Sequence, residues 1–306
     1  MYHPALMGNP TEITLHAPAK VNFHLTVLGK RPDGYHELVM LMQALEFGDT
    51  VVLKRAEAGV EVTSDSPDVP LGADNIVHKA VTALLTGAGA GGGVKAHIIK
   101  RTPMAAGLGG GSSDAAAALR GTNILYGLGL SDARLREVGV RLGADVPFFL
   151  SWPSALAEGI GDILTEAPAP SGVWVTLVNP GFPVPTGWVY SNLNLGLTNT
   201  ADSIKLPHLQ GLASGEGYGP MRVASVLKND LEPVTIGRHP EIGDIKARLI
   251  ELGAAGALMS GSGPTVFGVF DDGEKAAAAA RALARPGWFT TATKTLSRWQ
   301  DPVVIY

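Results

Sequence analysis

The sequence of 306 residues contains no cysteine, so disulfide bonds and thiolate metal sites are excluded. Its eight histidines are scattered, without the H-x-H or H-x-x-x-H spacing that brings two imidazoles to one metal, and we expect no zinc site. Basic residues are in the minority, with 24 Lys and Arg against 28 Asp and Glu and a net charge of −4. This balance gives no electrostatic reason to expect a nucleic acid or an anionic membrane as a partner.

Long apolar runs are absent as well. No stretch approaches the roughly 20 apolar residues that a membrane-spanning helix needs, and the start of the chain lacks the basic and apolar segments of a secretory signal. We therefore expect a soluble, cytoplasmic protein. A chain of this length predicts two domains, and a change in composition near Trp152-Pro153 places them at residues 1–153 and 154–306.

Glycine, in contrast, is plentiful, and one glycine-rich stretch stands between two regular elements. Residues 94–100 alternate like a half-buried strand, and residues 114–126 have the alanine content and spacing of a helix. The loop between them reads PMAAGLGGGSS over residues 103–113, and we expect Ser112 or Ser113 to cap the helix. Glycine lets backbone N–H groups approach an anion, and a helix N-terminus adds free donors. The stretch predicts a phosphate-binding loop.

Two other phosphate-binding loops differ from this one. The Walker pattern requires Gly-Lys-Ser/Thr after four free positions, and no lysine lies in residues 103–113. The dinucleotide pattern G-x-G-x-x-G has Ser112 at its last position, which disfavours an NAD oxidoreductase. A flexible loop above a surface helix stays open as an alternative. Residues 87–93, another glycine run, are followed by no helix and are expected to be a plain connection.

The remaining segments predict an α+β fold. In the first half we expect strands at residues 12–15, 21–28, 51–54 and 60–63, the last two as a pair, a turn at 31–36, and helices at 75–85 and from Ser131. In the second half we expect strands at residues 173–178, 257–260, 264–270 and 288–296 and helices at 185–190, 223–236, 241–252 and 274–284. This order predicts an antiparallel sheet with helices on one face. Residues 191–219 are polar and glycine-rich and are expected to be a mobile excursion.

Five motifs together carry a family resemblance. They are PAKVN at residues 18–22, PDGYH at 32–36, PMAAGLGGGSS at 103–113, GADVP at 143–147 and MSGSGP at 259–264. In this order they resemble the GHMP kinase superfamily over nearly the whole chain. The resemblance implies a two-domain α+β fold, with an N-terminal domain like ribosomal protein S5 and a C-terminal ferredoxin-like domain. Where family members often carry glycine, this chain has Ala105 and Ala106, and alanine resists a positive φ.

The resemblance also implies the ATP-dependent phosphorylation of a small alcohol. Lys20, Asn22, Tyr35 and His36 together indicate a member whose acceptor is the 2-hydroxyl of a cytidine-diphosphate-linked methylerythritol, in the non-mevalonate route to isoprenoid precursors. ATP is then the phosphoryl donor and Mg²⁺ is expected to accompany it, while the ligands of the metal and the oligomeric state are not indicated. Alternatives are a GHMP kinase for another alcohol, such as homoserine or mevalonate, and a nucleotide-binding regulatory module without catalysis.

Two charged residues are the catalytic candidates. By the resemblance, Asp145 corresponds to the catalytic aspartate and Lys20 to the lysine paired with it. A carboxylate can orient and deprotonate an attacking hydroxyl, and a neighbouring lysine can keep it ionised and offset charge on the phosphoryl oxygens. From the residues alone, Asp145 is as readily a helix N-cap before Pro147, and Lys20 is more readily a solvated surface charge.

The resemblance places ATP on the phosphate loop. Each serine at its end can cap the helix, contact phosphate or contact magnesium. Lys100, at the end of the strand, is either a surface charge or a contact to the nucleotide or the acceptor's diphosphate. The tripeptide at residues 261–263 is either a hairpin turn or, by the resemblance, a segment that closes the cleft against the loop. The proposed ATP-binding residues are Lys100, Pro103, Met104, Ala105, Ala106, Gly107, Leu108, Gly109, Gly110, Gly111, Ser112 and Ser113.

The resemblance places the cytosine base between two aromatic rings. Tyr35 and Tyr190 stand where the family has stacking aromatics, with His36 and Asn22 as hydrogen-bonding groups and Thr186 near the same pocket. Taken alone, Tyr190 would more often be a core or rim tyrosine and His36 a turn residue.

Overall fold

The computed structural model of the protein describes residues 10–193 and 218–306. Its strands are β1 (Glu12–Lys30), β2 (His36–Ala56), β3 (Gly59–Ser64), β4 (Gly93–Ile99), β5 (Ser154–Gly159), β6 (Ile163–Glu166), β7 (Trp174–Asn179), β8 (Lys228–Asn229), β9 (Gly256–Met259), β10 (Val266–Phe270), β11 (Phe289–Lys294) and β12 (Val303–Ile305). Its helices are α1 (Ile76–Gly87), α2 (Gly110–Leu125), α3 (Asp132–Gly139), α4 (Val146–Phe149), α5 (Thr186–Ser191), α6 (Pro220–Ala224), α7 (Glu232–Arg238), α8 (Glu241–Glu251) and α9 (Gly273–Ala282). Within these residues, every helix is too short or too polar to cross a bilayer.

Two long antiparallel strands form the centre of the larger sheet. β1 and β2 pair from Glu12↔Lys54 to Lys30↔His36 and are joined by the turn predicted at residues 31–36. The sheet runs β12-β1-β2-β4-β3, with β5 also paired to β2, β6 paired to β5, and β8 paired to β1. Helix α2 packs against β1 and β2, so the helix that follows the phosphate loop lies directly on the sheet's central pair.

Strand β1 corrects the prediction of two separate strands at residues 12–15 and 21–28. The Ala17-Pro18-Ala19 segment stays in the strand, and the register shifts between Pro18 and Lys20 instead. Pro18 faces Gly48, where an added Cβ would lie 2.3 Å from the carbonyl oxygen of Ala17. A proline is therefore tolerated in the strand because a bulge and an opposing glycine make room for it.

Three other predictions of local structure are wrong. The strands predicted at 51–54 and 60–63 do not form a pair, because β4 lies between β2 and β3. The helix predicted at 223–236 is divided into α6 and α7, with β8 between them. Helix α2 begins at Gly110 with Gly109 as its N-cap, so Ser112 and Ser113 lie inside its first turn and are not caps.

Most of the other elements are confirmed. Asn75 caps α1 through a bond from the Val77 N–H, and Ser131 caps α3 through a bond from the Arg134 N–H. The predicted strands of the second half form an antiparallel sheet in the order β11-β7-β10-β9. The excursion predicted at residues 191–219 falls largely on residues 194–217, which lie outside the described residues.

The smaller sheet is covered on both faces. Its first face packs with α8 and α9, as predicted, through residues such as Val178, Phe270 and Leu249. Its second face, with Val175 and Phe267, packs against apolar residues of the larger sheet, and the rings of Phe23 and Phe267 lie 5.9 Å apart. Two sheets and their helices thus form the α+β fold that the sequence predicted. The boundary between residues 153 and 154 stays a prediction, and β5 and β6, which follow it, pair within the larger sheet.

Candidate active site

The phosphate loop connects the end of β4 to the start of α2, and three of its residues have a positive φ, in the left-handed region of backbone conformation. Gly107 has a φ of +77° and Gly109 a φ of +70°, values at which glycine carries no steric penalty. Ala105 has a φ of +50°, so alanine adopts here the conformation that it disfavours. The first intrahelical bond of α2 runs from the Ser113 N–H to the Gly109 carbonyl, which leaves the preceding N–H groups free for an anion.

Segments that are distant in the sequence hold this loop in place. The Ser260 hydroxyl donates to the Gly107 carbonyl at 2.9 Å, and a Cβ on Gly107 would lie 2.1 Å from the Ser260 carbonyl oxygen. On the other side, the Lys20 N–H donates to the Leu108 carbonyl at 2.9 Å. A Cβ on Gly107 would also lie 3.2 Å from the Gly263 nitrogen, so the contact predicted between residues 261–263 and the loop is confirmed. These contacts explain why residue 107 has to be glycine.

Lys20 and Asp145 meet beside the loop. Lys20 Nζ lies 3.4 Å from Asp145 Oδ2 and donates to Asn22 Oδ1 at 2.7 Å. Only 5% of the Lys20 side chain is exposed, so it is not a solvated surface lysine, whereas 30% of the Asp145 side chain is exposed. Asp145 stands at the N-cap position of α4, but its carboxylate is turned to Lys20. The pair thus combines a buried cation with a carboxylate that remains open to the cavity.

A second ionic cluster lies under the loop. Lys100 Nζ donates to Asp49 Oδ2 at 2.6 Å and to Asp114 Oδ2 at 2.7 Å, and all three side chains are at most 5% exposed. Burial raises the pKa of Asp114 to about 7, against the opposing effect of Lys100. The two carboxylates raise the pKa of Lys100 although burial acts to lower it. Lys100 is therefore an ion-paired interior lysine.

A group of aromatic residues forms the third part of the site. The rings of His36 and Tyr190 stack at 5.0 Å with an angle of 26° between their planes, and Tyr35 is 61% exposed. Burial and the charge of Lys30 lower the pKa of His36, so its imidazole is neutral at physiological pH and offers both a donor and an acceptor. Burial, followed by the charge of Asp145, raises the pKa of Tyr190 to about 12.

One cavity of about 1140 Å³ joins these groups. It is lined by all the candidate catalytic and substrate-binding residues and by the whole phosphate loop as far as Ser112. Ser113 is the exception, because its side chain is buried and lines a separate cavity of about 340 Å³. Thr186 shares a 2.8 Å hydrogen bond with Ser262, which connects a candidate substrate-binding residue to the MSGSGP motif.

Sequence reasoning missed several residues that shape the site. Asp49 lies 51 positions before Lys100, and no local pattern marked it. Asn229, in β8, donates to the carbonyls of Met259 and Gly261 at 2.8 Å each and so holds the MSGSGP segment. Asp114 directly follows the two serines of the loop, and this position was the only signal that could have drawn attention to it.

Comparison with known proteins identifies one family over most of the chain. The profile described as GHMP kinases N terminal domain matches residues 75–151, and the profile GHMP kinases C terminal matches residues 219–287. A protein from Geobacter metallireducens named 4-diphosphocytidyl-2-C-methyl-D-erythritol kinase is 50% identical over 286 residues, which cover 93% of this chain and 99% of that protein. A protein of the same name from Syntrophotalea carbinolica is 51% identical over 274 residues, which cover 89% and 95%.

Solved structures agree with these relatives. A crystal structure of 4-(cytidine 5'-diphospho)-2C-methyl-D-erythritol kinase has a TM-score of 0.73 and 35% identity, and the match covers 92% of this chain and 98% of that one. A homoserine kinase from Cytophaga hutchinsonii has a TM-score of 0.76 but only 21% identity, so this likeness shows the fold alone. Because close relatives cover nearly its whole length, the chain belongs to the 4-diphosphocytidyl-2-C-methyl-D-erythritol kinase family of the GHMP kinases.

Proposed function

We propose that the protein transfers the γ-phosphoryl group of ATP to the 2-hydroxyl of 4-diphosphocytidyl-2-C-methyl-D-erythritol. The observation that carries this proposal is the Lys20–Asp145 pair, which opens into the same cavity as the phosphate loop and the aromatic residues. Ligand pockets commonly measure about 300–1,000 Å³. A cavity of about 1140 Å³ lies above this range, which is consistent with a site that holds a donor and an acceptor nucleotide together.

We propose that the ATP phosphates bind against the loop at residues 103–113 and the first turn of α2. The left-handed glycines bring the backbone close to the ligand, and the free N–H groups of the helix supply donors and partial positive charge. Of the two serines, Ser112 lines this cavity, and a Cβ on Gly143 would lie 3.5 Å from Ser112 Oγ. The GADVP motif is thereby packed against the start of the helix.

We propose that the cytosine base of the acceptor stacks between Tyr35 and Tyr190. His36 stacks on one face of the Tyr190 ring, so a base that stacks on Tyr190 would use the opposite face. The neutral imidazole of His36 and the amide of Asn22 are suited to hydrogen bonds with the polar edge of a cytosine. Thr186, fixed by its bond to Ser262, lies along the same wall.

In the transfer step, we propose that Asp145 orients the acceptor's 2-hydroxyl and takes its proton. The hydroxyl oxygen forms a bond to the γ-phosphorus while the bond between that phosphorus and the β,γ-bridging oxygen breaks, and ADP leaves with the bridging oxygen. Lys20 Nζ, fixed by Asn22 and 3.4 Å from Asp145, is placed to offset negative charge on the transferred oxygens. Preorganisation of this kind requires no rearrangement of the pair during the reaction.

Mg²⁺ is expected to accompany ATP. Among the residues that the structure describes, no group of three or more His, Asp or Glu side chains is arranged to hold a metal ion. We therefore propose that the ion arrives on the phosphates of ATP and is not held by a dedicated protein cage. We propose that the enzyme acts on small molecules in the cytoplasm, and its net charge of −4 gives no electrostatic attraction to nucleic acid.

An assay of ADP release across several acceptors tests the proposed function. The protein is incubated with ATP and, separately, with 4-diphosphocytidyl-2-C-methyl-D-erythritol, homoserine or mevalonate. We expect rapid ADP release with the cytidyl acceptor alone, because the other alcohols have no base to occupy the aromatic end of the cavity. A preference for homoserine or mevalonate would identify a different GHMP kinase. ATP binding without turnover on any acceptor would identify a regulatory module.

A further inference from the structure

The Asp49, Lys100 and Asp114 side chains form an ionic bridge under the phosphate loop, and the proposed transfer step does not use it. We propose that this ionic bridge is a positioning device, which fixes the spacing between the end of β4 and the first turn of α2 and so sets the shape of the ATP cradle. Lys100 then contributes to ATP binding through the two carboxylates and not as a ligand of the phosphates. The proposal rests on the proposed function, because it concerns the ATP site of that reaction.

The bridge joins the two ends of the loop. Lys100 directly follows β4, and Asp114 lies in α2, so their 2.7 Å ion pair spans the loop from its beginning to its end. Asp49, from β2, fastens the beginning to the sheet, since its Oδ1 accepts bonds from the N–H groups of Arg101 at 2.6 Å and Thr102 at 2.7 Å. Loop ends that are tied both to each other and to the sheet cannot move apart without breaking buried, charge-assisted bonds.

Lys100 also supports the point at which the loop becomes a helix. A Cβ on Gly110 would lie 3.2 Å from Lys100 Nζ and 3.0 Å from Thr102 Cγ2. The ammonium group therefore lies directly under the first residue of α2, whose neighbouring N–H groups are the proposed phosphate donors. A shift of Lys100 would move these donors together with the residue above it.

The charges of the cluster argue against a direct phosphate contact. An ammonium group has three protons, and two of them are already donated to carboxylates. One cation beside two carboxylates leaves no net positive charge when Asp114 is protonated and a net negative charge when it is ionised, so in neither state does the cluster attract ATP by its net charge. Of the two carboxylates, Asp114 makes fewer hydrogen bonds, because its Oδ1 has no partner in the described part of the chain. Asp49, in contrast, accepts through both of its oxygens.

Two substitutions at one position separate positioning from electrostatics. Asp114→Asn keeps an oxygen that can accept the bond from Lys100 Nζ, while Asp114→Ala removes it, and both remove the same negative charge. If the bridge positions the loop, Asp114→Asn keeps ATP affinity within about twofold, and Asp114→Ala weakens it by about tenfold or more, the effect of losing one hydrogen bond to a charged group. Direct binding of phosphate by Lys100 predicts tighter ATP binding in both variants.

A third variant tests the other end of the bridge. Asp49→Asn keeps an oxygen for the two backbone N–H groups but turns an amide NH₂ toward the ammonium of Lys100. We expect ATP affinity to fall by about tenfold, as in Asp114→Ala, although a negative charge has been removed. If Asp114→Ala does not fold, Asp49→Asn still tests whether the ionic bridge positions the loop.

The measurement is calorimetric titration of each full-length variant with a non-hydrolysable ATP analogue, followed by titration with the cytidyl acceptor. Acceptor affinity within about twofold of the wild type shows that the fold and the aromatic part of the site are intact. The proposal is supported when Asp114→Ala and Asp49→Asn lose affinity for the analogue and Asp114→Asn does not. It is overturned when the two Asp114 variants behave alike, whether both bind more tightly or neither changes. Failure of the proposed function would be seen separately, as a wild-type protein that binds the analogue but phosphorylates no acceptor.

Discussion

Gly109 is the position at which a single added carbon atom should disturb the pair of Lys20 and Asp145. A Cβ at residue 109 would lie 3.0 Å from Lys20 Cγ and 3.0 Å from Phe149 Cζ. Phe149 is 3% exposed and packs edge-to-face on Phe148, so a shift of its ring would disturb the packing of the core. The unbranched side chain of Lys20 yields more readily than a packed ring, so we expect Lys20 Nζ to be displaced from its position beside Asp145.

The size of the effect follows from this geometry. An L-residue at a φ of +70° costs about 1–2 kcal/mol of stability relative to glycine. A misplacement of about 1 Å at a reacting centre costs on the order of 10²-fold in rate. We expect Lys20 Nζ to be displaced by roughly a few tenths of an ångström or more, so the loss of rate should approach this size. We expect Gly109→Ala to lower the melting temperature modestly and to lower kcat by about tenfold to a hundredfold.

Gly127→Ala is the matched control. Gly127 also has a positive φ, of +60°, but an added Cβ would meet no atom within 4 Å, and the residue does not line the cavity. Both variants should lose a similar amount of stability in thermal unfolding, while only Gly109→Ala should lose kcat in the ADP-release assay. A Gly109→Ala protein with wild-type kcat, or a Gly127→Ala protein with the same loss of kcat, would refute the reasoning.

Three further predictions concern individual side chains. Asp145→Asn keeps the shape of the residue but not the proton acceptor, so kcat should fall by roughly 10²–10⁴ while calorimetric ATP binding is retained, and near wild-type turnover would require another base. Tyr190→Ala should raise the acceptor's KM by the equivalent of about 1–3 kcal/mol of lost stacking, with Tyr190→Phe nearly silent; an equal rise in the KM for ATP would make Tyr190 a packing residue. The pKa of Asp114 is raised from 3.8 to about 7, so the folded protein holds this proton more tightly than the unfolded chain does. The stability that this residue contributes is therefore present below about pH 4 and lost as the pH rises through about 7. In a plot of melting temperature against pH, Asp114→Asn should remove this decline. Identical plots for the variant and the wild type would contradict the raised pKa.

Local signals accounted for much of the fold. The caps at Asn75 and Ser131 were predicted because a cap is recognised from the residue and the few that follow it. The strand, loop and helix around residues 94–125 were predicted for the same reason, although the helix begins earlier because Gly109, in the left-handed conformation, takes the cap position. The antiparallel sheet of the second half followed from the order of its strands and helices.

Features that depend on distant contacts were missed. The path of β1 through Pro18 depends on Gly48 of the neighbouring strand, and no window around residue 18 contains that information. Asp49 and Lys100 are separated by 51 positions and meet only because β2 pairs with β4. The roles of Lys20 and Asp145 came from the family resemblance, since composition and spacing favoured a surface charge for the first and left a cap equally open for the second.

Identification of the phosphorylated product tests the central claim most directly. The protein is incubated with ATP and 4-diphosphocytidyl-2-C-methyl-D-erythritol, and the product is characterised by phosphorus NMR, with the Asp145→Asn variant in parallel. The account predicts one new phosphomonoester on the 2-hydroxyl, formed in equal amount to ADP by the wild type and at a greatly reduced rate by the variant. ADP formed without a phosphorylated acceptor, or product formed equally fast by both proteins, would contradict it.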